Sequence, residues 1–456
     1  MRVRIATDHG GRGRKGARWR GPSGLVLALL LGAVGWPALA SAEDAPPPPP
    51  APPLEQLFAP LKEQFKGLPP FLGDTNLTTH FRTYYYNRTK LDNTQNEALA
   101  FGGWISYQSG WLFDTFAMGA SLYGSAPLYA PDDKDGTLLL KPGQKGYYVP
   151  GEAWGALRYQ DYALLKGYRQ LVDQTYINPQ DNRMTPNTFE GLTLGGKVGW
   201  AQYLGGFLWN IKTRNSDEFI AMSSAAGVTG AHDGVGLAGV RLTPVKGLRI
   251  DVSNQYGVNM FNTIYADADY LYPLSEDWKL HLGAQFTDQR AVGDALLAKA
   301  DGKYWITQAG GARIQVIHRE LTLTTAFSIT GDGNTIQNPW GSFPGYLSMI
   351  DQDFDRADEK AWLIGAAYDF SKLLTPGLSA NVNLAWGVDA INPSTRKPAP
   401  NQTEYDFTAD YRLPKGAPAF LQGVWFRARA AIVDQQDAKT LGYQFRLILN
   451  WERDLL

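Results

Sequence analysis

The sequence predicts an all-β protein, an 18-stranded antiparallel transmembrane β-barrel of outer-membrane type. Three observations predict it. In the last strand-like run Leu441, Tyr443, Phe445, Leu447, Leu449 and Trp451 are apolar, with Gly442, Gln444, Arg446, Ile448 and Asn450 between them. Such alternation gives one strand two chemically different faces. An apolar face this continuous, with aromatics near its ends, suits lipid on one side and water on the other. Beyond residue 42 no run of 18 continuous apolar residues predicts a membrane helix, yet the chain carries 14 Trp, 23 Tyr and 20 Phe, the supply that two interfacial girdles need. It has no cysteine. A secreted chain of this size then needs stability from elsewhere, and a closed hydrogen-bonded barrel supplies it.

Taken in order, residues 1–42 read as a secretory signal peptide. Basic residues run from Arg2 to Arg20, residues 25–34 are apolar, and Ala38-Leu39-Ala40 or Ala40-Ser41-Ala42 fits a cleavage site. Without this segment the net charge moves from −1 to about −7, which argues against a nucleic-acid partner. Residues 43–74 form a proline-rich extension. Pro46 to Pro50 favours polyproline II, and Leu54, Leu57, Phe58, Leu61 and Phe65 suit a short amphipathic helix over 54–65. A linker, a tether and a plug all fit it. Residues 75–456 are expected to form the barrel.

From Asn76 onward about 19 runs qualify as strands. Outer-membrane barrels need an even number, with short turns alternating with longer outer loops. Tight connections are expected near 108–110, 161, 201–203, 243–247, 273–277, 318–320, 371–377 and 414–423, several marked by Pro or Gly. Longer ones are expected at 124–151, 172–187, 288–302, 331–358 and 389–402. Alternation fails only if 218–228 is a strand. Its small residues suit a loop, and that choice leaves 18 strands.

If one face meets lipid, the other lines a lumen. In 424–433 the apolar side is Val424, Phe426, Ala428, Ala430 and Ile432, which places Arg427 and Arg429 together on the other side, about 7 Å apart. Arg446 faces inward on the next strand. Arg82 and Arg88 share a face of the first strand, as do Lys212 and Arg214 on another. Arg158, Arg169, Arg241, Arg249 and Arg313 are further lumen candidates. Successive guanidiniums would bind carboxylates by charge-assisted, bidentate bonds, and several weak sites in a row permit both entry and exit. The alternative is that these arginines pair with wall carboxylates such as Glu152 and Asp251. The loop 172–187 carries Asp173, Asn178-Pro179, Asp181, Arg183 and Pro186. Periodicity leaves open whether it folds inward or lies outside.

These residues resemble the OprD (occD/occK) family of substrate-specific outer-membrane porins. The resemblance runs from Leu68-Pro69-Pro70-Phe71 and Arg82-Thr83-Tyr84-Tyr85-Tyr86-Asn87-Arg88, through Asn178-Pro179, Asp181, Arg183, Pro186 and Thr188-Phe189-Glu190-Gly191, to Asp410-Tyr411-Arg412 and Arg427-Ala428-Arg429. Asn182 stands where glycine is common, and Leu456 replaces a terminal phenylalanine. The resemblance implies an 18-stranded barrel with inward-folded loops, the third and seventh, forming a constriction. It also implies a basic ladder, including Arg427 and Arg429, that guides small carboxylates, with Asp181 in the constriction loop.

Enzyme chemistry is not expected. His80, His232, His281 and His318 form no metal-like pair, and no nucleophile-elbow pattern occurs; a barrel lipase is the alternative from another class. Asp351, Asp353, Asp355, Asp358 and Glu359 form an acidic segment, but Arg356 stands where an EF-hand loop needs glycine. A solvated loop edge, or one bridged to lipopolysaccharide phosphates, is expected instead. No cofactor or metal is implied. The expected partners are outer-membrane lipid, lipopolysaccharide and small anionic or zwitterionic solutes, and the expected state is a monomer or weak trimer. Passive, substrate-selective diffusion is the expected function, with a weakly selective porin as the alternative.

Overall fold

The computed structural model describes residues 63–65, 67–297 and 304–456. The expected signal peptide and most of the proline-rich extension lie outside the described residues. Of the expected helix over 54–65, residues 63–65 are described and are helical.

A helical turn, Pro70–Gly73, leads into the wall. The first strands are β1 (Asn76–Thr89), β2 (Gln95–Gln108), β3 (Phe116–Tyr129), β4 (Tyr147–Tyr159), β5 (Ala163–Gln170) and β6 (Thr188–Val198). Next come β7 (Ala201–Lys212), β8 (Val235–Leu242), β9 (Leu248–Gly257), β10 (Phe261–Pro273), β11 (Trp278–Ala291) and β12 (Ile306–His318). The last are β13 (Leu321–Thr330), β14 (Lys360–Asp369), β15 (Leu378–Val388), β16 (Gln402–Arg412), β17 (Val424–Gln435) and β18 (Gly442–Asp454). Each pairs antiparallel with the next, and β18 returns to β1 in a register from Thr78↔Asp454 to Thr89↔Tyr443. Closure leaves no free edge, which is the condition for strands to cross a membrane.

The wall has 18 strands, as the alternation rule predicts. Within 218–228 the chain makes only a two-residue strand, Ile220–Ala221, bridged to the end of β7, and a helical turn, Met222–Ala225. Seven of the eight tight turns fall where expected. The remaining one, expected at 201–203, lies at 199–200, with Gly199 at φ 58, and Ala201 already pairs with Val198. Only glycine enters that region without steric cost; Tyr203 instead continues the outward face of β7.

The two faces separate as the alternation requires. On β18, Tyr443 and Leu449 are 49% and 38% exposed, whereas Arg446 and Asn450 are 4% and 0% exposed. Outward aromatics gather at both ends of the wall. Tyr159, Tyr162, Trp200, Tyr272 and Trp278 lie at the short-turn end, and Tyr129, Tyr148, Tyr256, Tyr405 and Tyr443 at the long-loop end. Trp451 stacks on Phe81 at 5.8 Å where the last strand meets the first, and the Leu455 amide donates to the Leu77 carbonyl at 2.7 Å.

Several outer loops fold into the lumen. Val172 and Ile177 of loop 3 (171–187), Met222 and Val228 of loop 4 (213–234), Trp305, and Trp340 of loop 7 (331–359) bury one another against β6–β10. Phe261 stacks on Trp340 at 5.1 Å, and the Trp340 indole donates to the Met222 carbonyl at 2.9 Å. The Asn178 side chain accepts from the Ser342 amide at 2.9 Å, so loops 3 and 7 are also tied directly to each other.

Candidate permeation pathway

The inward residues of four neighbouring strands, β16, β17, β18 and β1, form successive rows set by the hydrogen-bond register. Starting from the short-turn end, the first row is Arg412, Trp425, Asn450 and Arg82. Next come Asp410, Arg427, Ile448 and Tyr84, then Thr408, Arg429, Arg446 and Tyr86. Asp406, Ala431, Gln444 and Arg88 make the row nearest the outer loops. Rows are separated by two residues, about 7 Å along a strand. One flank of the lumen is therefore a climbing array of guanidiniums interleaved with aromatic rings.

These arginines differ in what they hold. Arg427 is bidentate to Asp410, at 2.7 and 3.0 Å. Arg429 and Arg446 are direct register partners, an unfavourable like-charge pair. Neither forms an ion pair among the described residues. Arg429 donates to the Thr408 hydroxyl at 3.3 Å, and Arg446 to the Ile350 carbonyl at 2.9 Å while lying 5.4 Å from the Tyr86 ring centre.

Loop 3 docks on this array. Asp181 pairs with Arg82 at 2.8 Å, and Arg82 also donates to Asn450 at 2.8 Å and to the Arg183 carbonyl. Arg183 reaches past the wall: it donates to the Thr137 carbonyl of loop 2 (130–146) at 2.9 Å and packs 5.0 Å from the Tyr86 ring centre. Asn182, at the position where glycine is common, accepts a hydrogen bond from Arg214 of loop 4 through its side chain, so the loop-4 guanidinium joins the cluster. Burial and then the neighbouring charge of Arg446 push the Arg183 guanidinium down; for Arg214 burial comes first, then Arg183 and Arg446. An arginine does not give up its proton.

Loop 7 docks one row higher. The acidic segment expected as a solvated edge instead lies in the lumen. Consecutive amides of Ile350, Asp351 and Gln352 donate to Asp406 Oδ2 at 2.9 Å, Glu404 Oε1 at 2.8 Å and Glu404 Oε2 at 2.7 Å. Asp351 pairs with Arg88 at 2.7 Å. Glu359 is fully buried and held by Arg356. Asp353 and Asp355 carry carboxyls raised by burial first; the Asp355 carboxyl is raised further by the charges of Asp353 and Glu359. Glu404 and Asp406, which hold the loop-7 amides, are candidate site residues that sequence reasoning missed. The signal was available: Gln402, Glu404, Asp406, Thr408, Asp410 and Arg412 alternate with Thr403, Tyr405, Phe407, Ala409 and Tyr411, which puts both acids on the inner face beside the arginines.

The other sequence candidates lie elsewhere. On the far side of the barrel Arg249 spans Asp251, Asp267 and Asp269, Arg241 pairs with Asp251 at 2.7 Å, and Arg313 with Asp269 at 2.7 Å. They line a recess of 440 Å³ beneath loops 3 and 7, with Asp173 at its edge. Arg169 pairs with Glu190 at 2.9 Å and packs on Phe219. Arg158 lies at the short-turn end, on Trp111 and paired with Asp114. The structure thus gathers Arg82, Arg427, Arg429, Arg446, Asp181 and Arg183 on one flank, and leaves Arg158, Arg169, Arg241, Arg249 and Arg313 in local ion pairs.

A family model described as outer membrane porin, OprD family, matches residues 69–455. Among solved structures the chain is similar to Pseudomonas aeruginosa OccK9 (OpdG), at 20% identity and a TM-score of 0.75, over 85% of this chain and 100% of that one. It is similar to Pseudomonas aeruginosa OpdK with vanillate at 20% identity and a TM-score of 0.73, over 84% of this chain and 100% of that one. Acinetobacter baumannii OccAB1 aligns at 17% identity and a TM-score of 0.75, over 86% of this chain and 100% of that one. No curated protein matches the chain.

Proposed function

Because the chain belongs to the OprD family of substrate-specific outer-membrane porins, we propose that it is a passive channel for small carboxylate-bearing solutes, which descend the arginines of β16–β1 through the gap between loops 3 and 7. One observation carries this reading. Arg429 and Arg446 face each other across adjacent strands without a direct ion pair among the described residues, near Arg183 and Arg214. A solute carboxylate supplies the missing charge by the bonds guanidinium favours. Arg427, already shared with Asp410, offers a weaker next site, so a solute is passed on and not trapped. The aromatic rings between the rows, Tyr84, Tyr86 and Trp425, suit a solute that carries a small ring, and vanillate in the similar OpdK is a solute of that kind.

Flux into liposomes tests the proposal. Arg427→Ala and Arg429→Ala should slow benzoate several-fold while leaving glucose nearly unchanged. An equal loss for both would reject a carboxylate path and point to a weakly selective pore.

A second expectation concerns pH. Carboxyls raised by burial, such as Asp353 and Asp355, gain their protons at a higher pH than a free carboxyl does. Lowering the pH therefore neutralises such carboxyls before free ones and leaves the arginines charged. The chloride-over-potassium permeability ratio, read from reversal potentials, should rise on acidification, and Asp353→Asn should flatten that rise. A falling ratio would contradict the assignment.

A further inference from the structure

We propose that the tip of loop 7 is a carboxylate-exchange gate, in which Asp351 occupies Arg88 as a solute carboxylate would and is displaced by the solute. The inference rests on the carboxylate path proposed above. Its anatomy is specific. Leu347 and Phe354 are buried in an apolar cluster with Ala326, Ala361, Leu363 and Ala385. The segment between those two anchors is held mainly by polar bonds. Asp351 meets Arg88 at 2.7 and 2.9 Å, supported by the Gln352 side chain at 3.0 Å. Three consecutive backbone amides rest on Glu404 and Asp406, and the Ile350 carbonyl rests on Arg446.

Two things follow from this arrangement. Wall carboxylates beside an anion path would repel the solute, but here the backbone amides of loop 7 cap Glu404 and Asp406. Both are positioning residues that deliver Asp351 to Arg88. The tip also engages two arginines of the array at once, through a carboxylate at Arg88 and a carbonyl at Arg446, so in this state it covers them. An incoming carboxylate can take the place of Asp351 without ever leaving the Arg88 guanidinium bare. A neutral solute cannot, because displacing Asp351 would strip a partly buried charge of its partner. Exchange therefore favours carboxylates at the gate itself, separately from any preference of the wall below.

Single-channel recording of the full-length protein in planar bilayers tests this, with sodium benzoate as the probe and sucrose at equal osmolarity as the control. Benzoate should raise the open probability of the wild type several-fold, and sucrose should not. Asp351→Asn should be open without benzoate and insensitive to it. Glu404→Gln keeps Asp351 and Arg88 but loosens the tip, so it should start more open and still respond. Each variant's folded barrel is checked by its heat-dependent gel mobility. Benzoate dependence surviving in Asp351→Asn, or a wild type indifferent to benzoate, overturns the gate. Reversal potentials separate the two readings. An anion-selective channel without benzoate gating sinks the gate alone, whereas a channel with no anion preference sinks the carboxylate path beneath it.

Discussion

Replacing both Arg429 and Arg446 with glutamate should make the channel cation-preferring. These two residues face each other in register on the inner wall and form no ion pair among the described residues, so no paired carboxylate offsets their charge. A unit charge about 4 Å from an ion is worth about 1 kcal/mol in water and about 4 kcal/mol where the surroundings are protein-like. Reversing a sign doubles the change at each site. Even the lower figure takes two reversals past the ~1.4 kcal/mol that corresponds to tenfold. The chloride-over-potassium permeability ratio should fall at least tenfold in dilute salt and less at high ionic strength, where screening shortens the reach of the charges. Neutralising Arg427 and Arg429 with alanine removes less, because Asp410 already offsets Arg427. A double reversal that leaves the ratio unchanged would show that ions bypass this wall.

The second large effect is expected from loop 3. Asp181→Ala leaves Arg82, whose side chain is only 6% exposed, without its carboxylate. Breaking a buried pair is costly because the remaining charge stays desolvated. Here Asp181 is itself 34% exposed, and Arg82 retains Asn450 and the Arg183 carbonyl. The loss is therefore moderated to about 2 kcal/mol, enough to weaken the docking of residues 180–183 about 30-fold. Single-channel conductance and its noise should both rise. Thermal unfolding of the barrel should scarcely move, since the strand ladder that closes the wall does not involve this contact. Unaltered conductance would mean that Asn182, through Arg214, and Arg183, through Thr137, suffice to hold the loop.

Much of the wall was legible because its physics is local. The clean alternation of 441–451 marks a strand with a lipid face and a water face whatever its partners, and in the structure Arg446 and Asn450 turn inward while Tyr443 and Leu449 turn outward. The Thr188-Phe189-Glu190-Gly191 segment shows where local pattern stops being enough. A register shift falls between Glu190 and Gly191, and a Cβ on Gly191 would meet Leu208 Cδ2 at 2.4 Å. A bulge of this kind re-aims the following side chains, and nothing in strict two-residue periodicity announces it. The same limit moved one turn from 201–203 to 199–200.

The arginines divide along the same line. Their inward direction follows from alternation on each strand, so Arg82, Arg427, Arg429 and Arg446 were nominated together with Arg241, Arg249 and Arg313. What each guanidinium holds depends on which strand lies beside it and in what register. Arg427 sits opposite Asp410, Arg429 opposite Arg446, and Arg249 within reach of three aspartates. Identical side chains on identical faces thus stay without a direct ion pair in one place and join an ion-pair network in another.

By itself the sequence determined that this chain forms an even-numbered barrel with an apolar exterior and a cationic lumen, because side-chain direction in a strand is a property of the strand alone. Only the tertiary structure decided which cations stay unpaired, that loops 3 and 7 close over them, and that Glu404 and Asp406 hold loop 7 in place. Those outcomes depend on registers between strands and on contacts between residues as far apart as Arg82 and Asp181 or Ile350 and Asp406. Coulombic and hydrogen-bond energies fall steeply with distance, so the pairing that gives each charge its role exists only once the wall has closed.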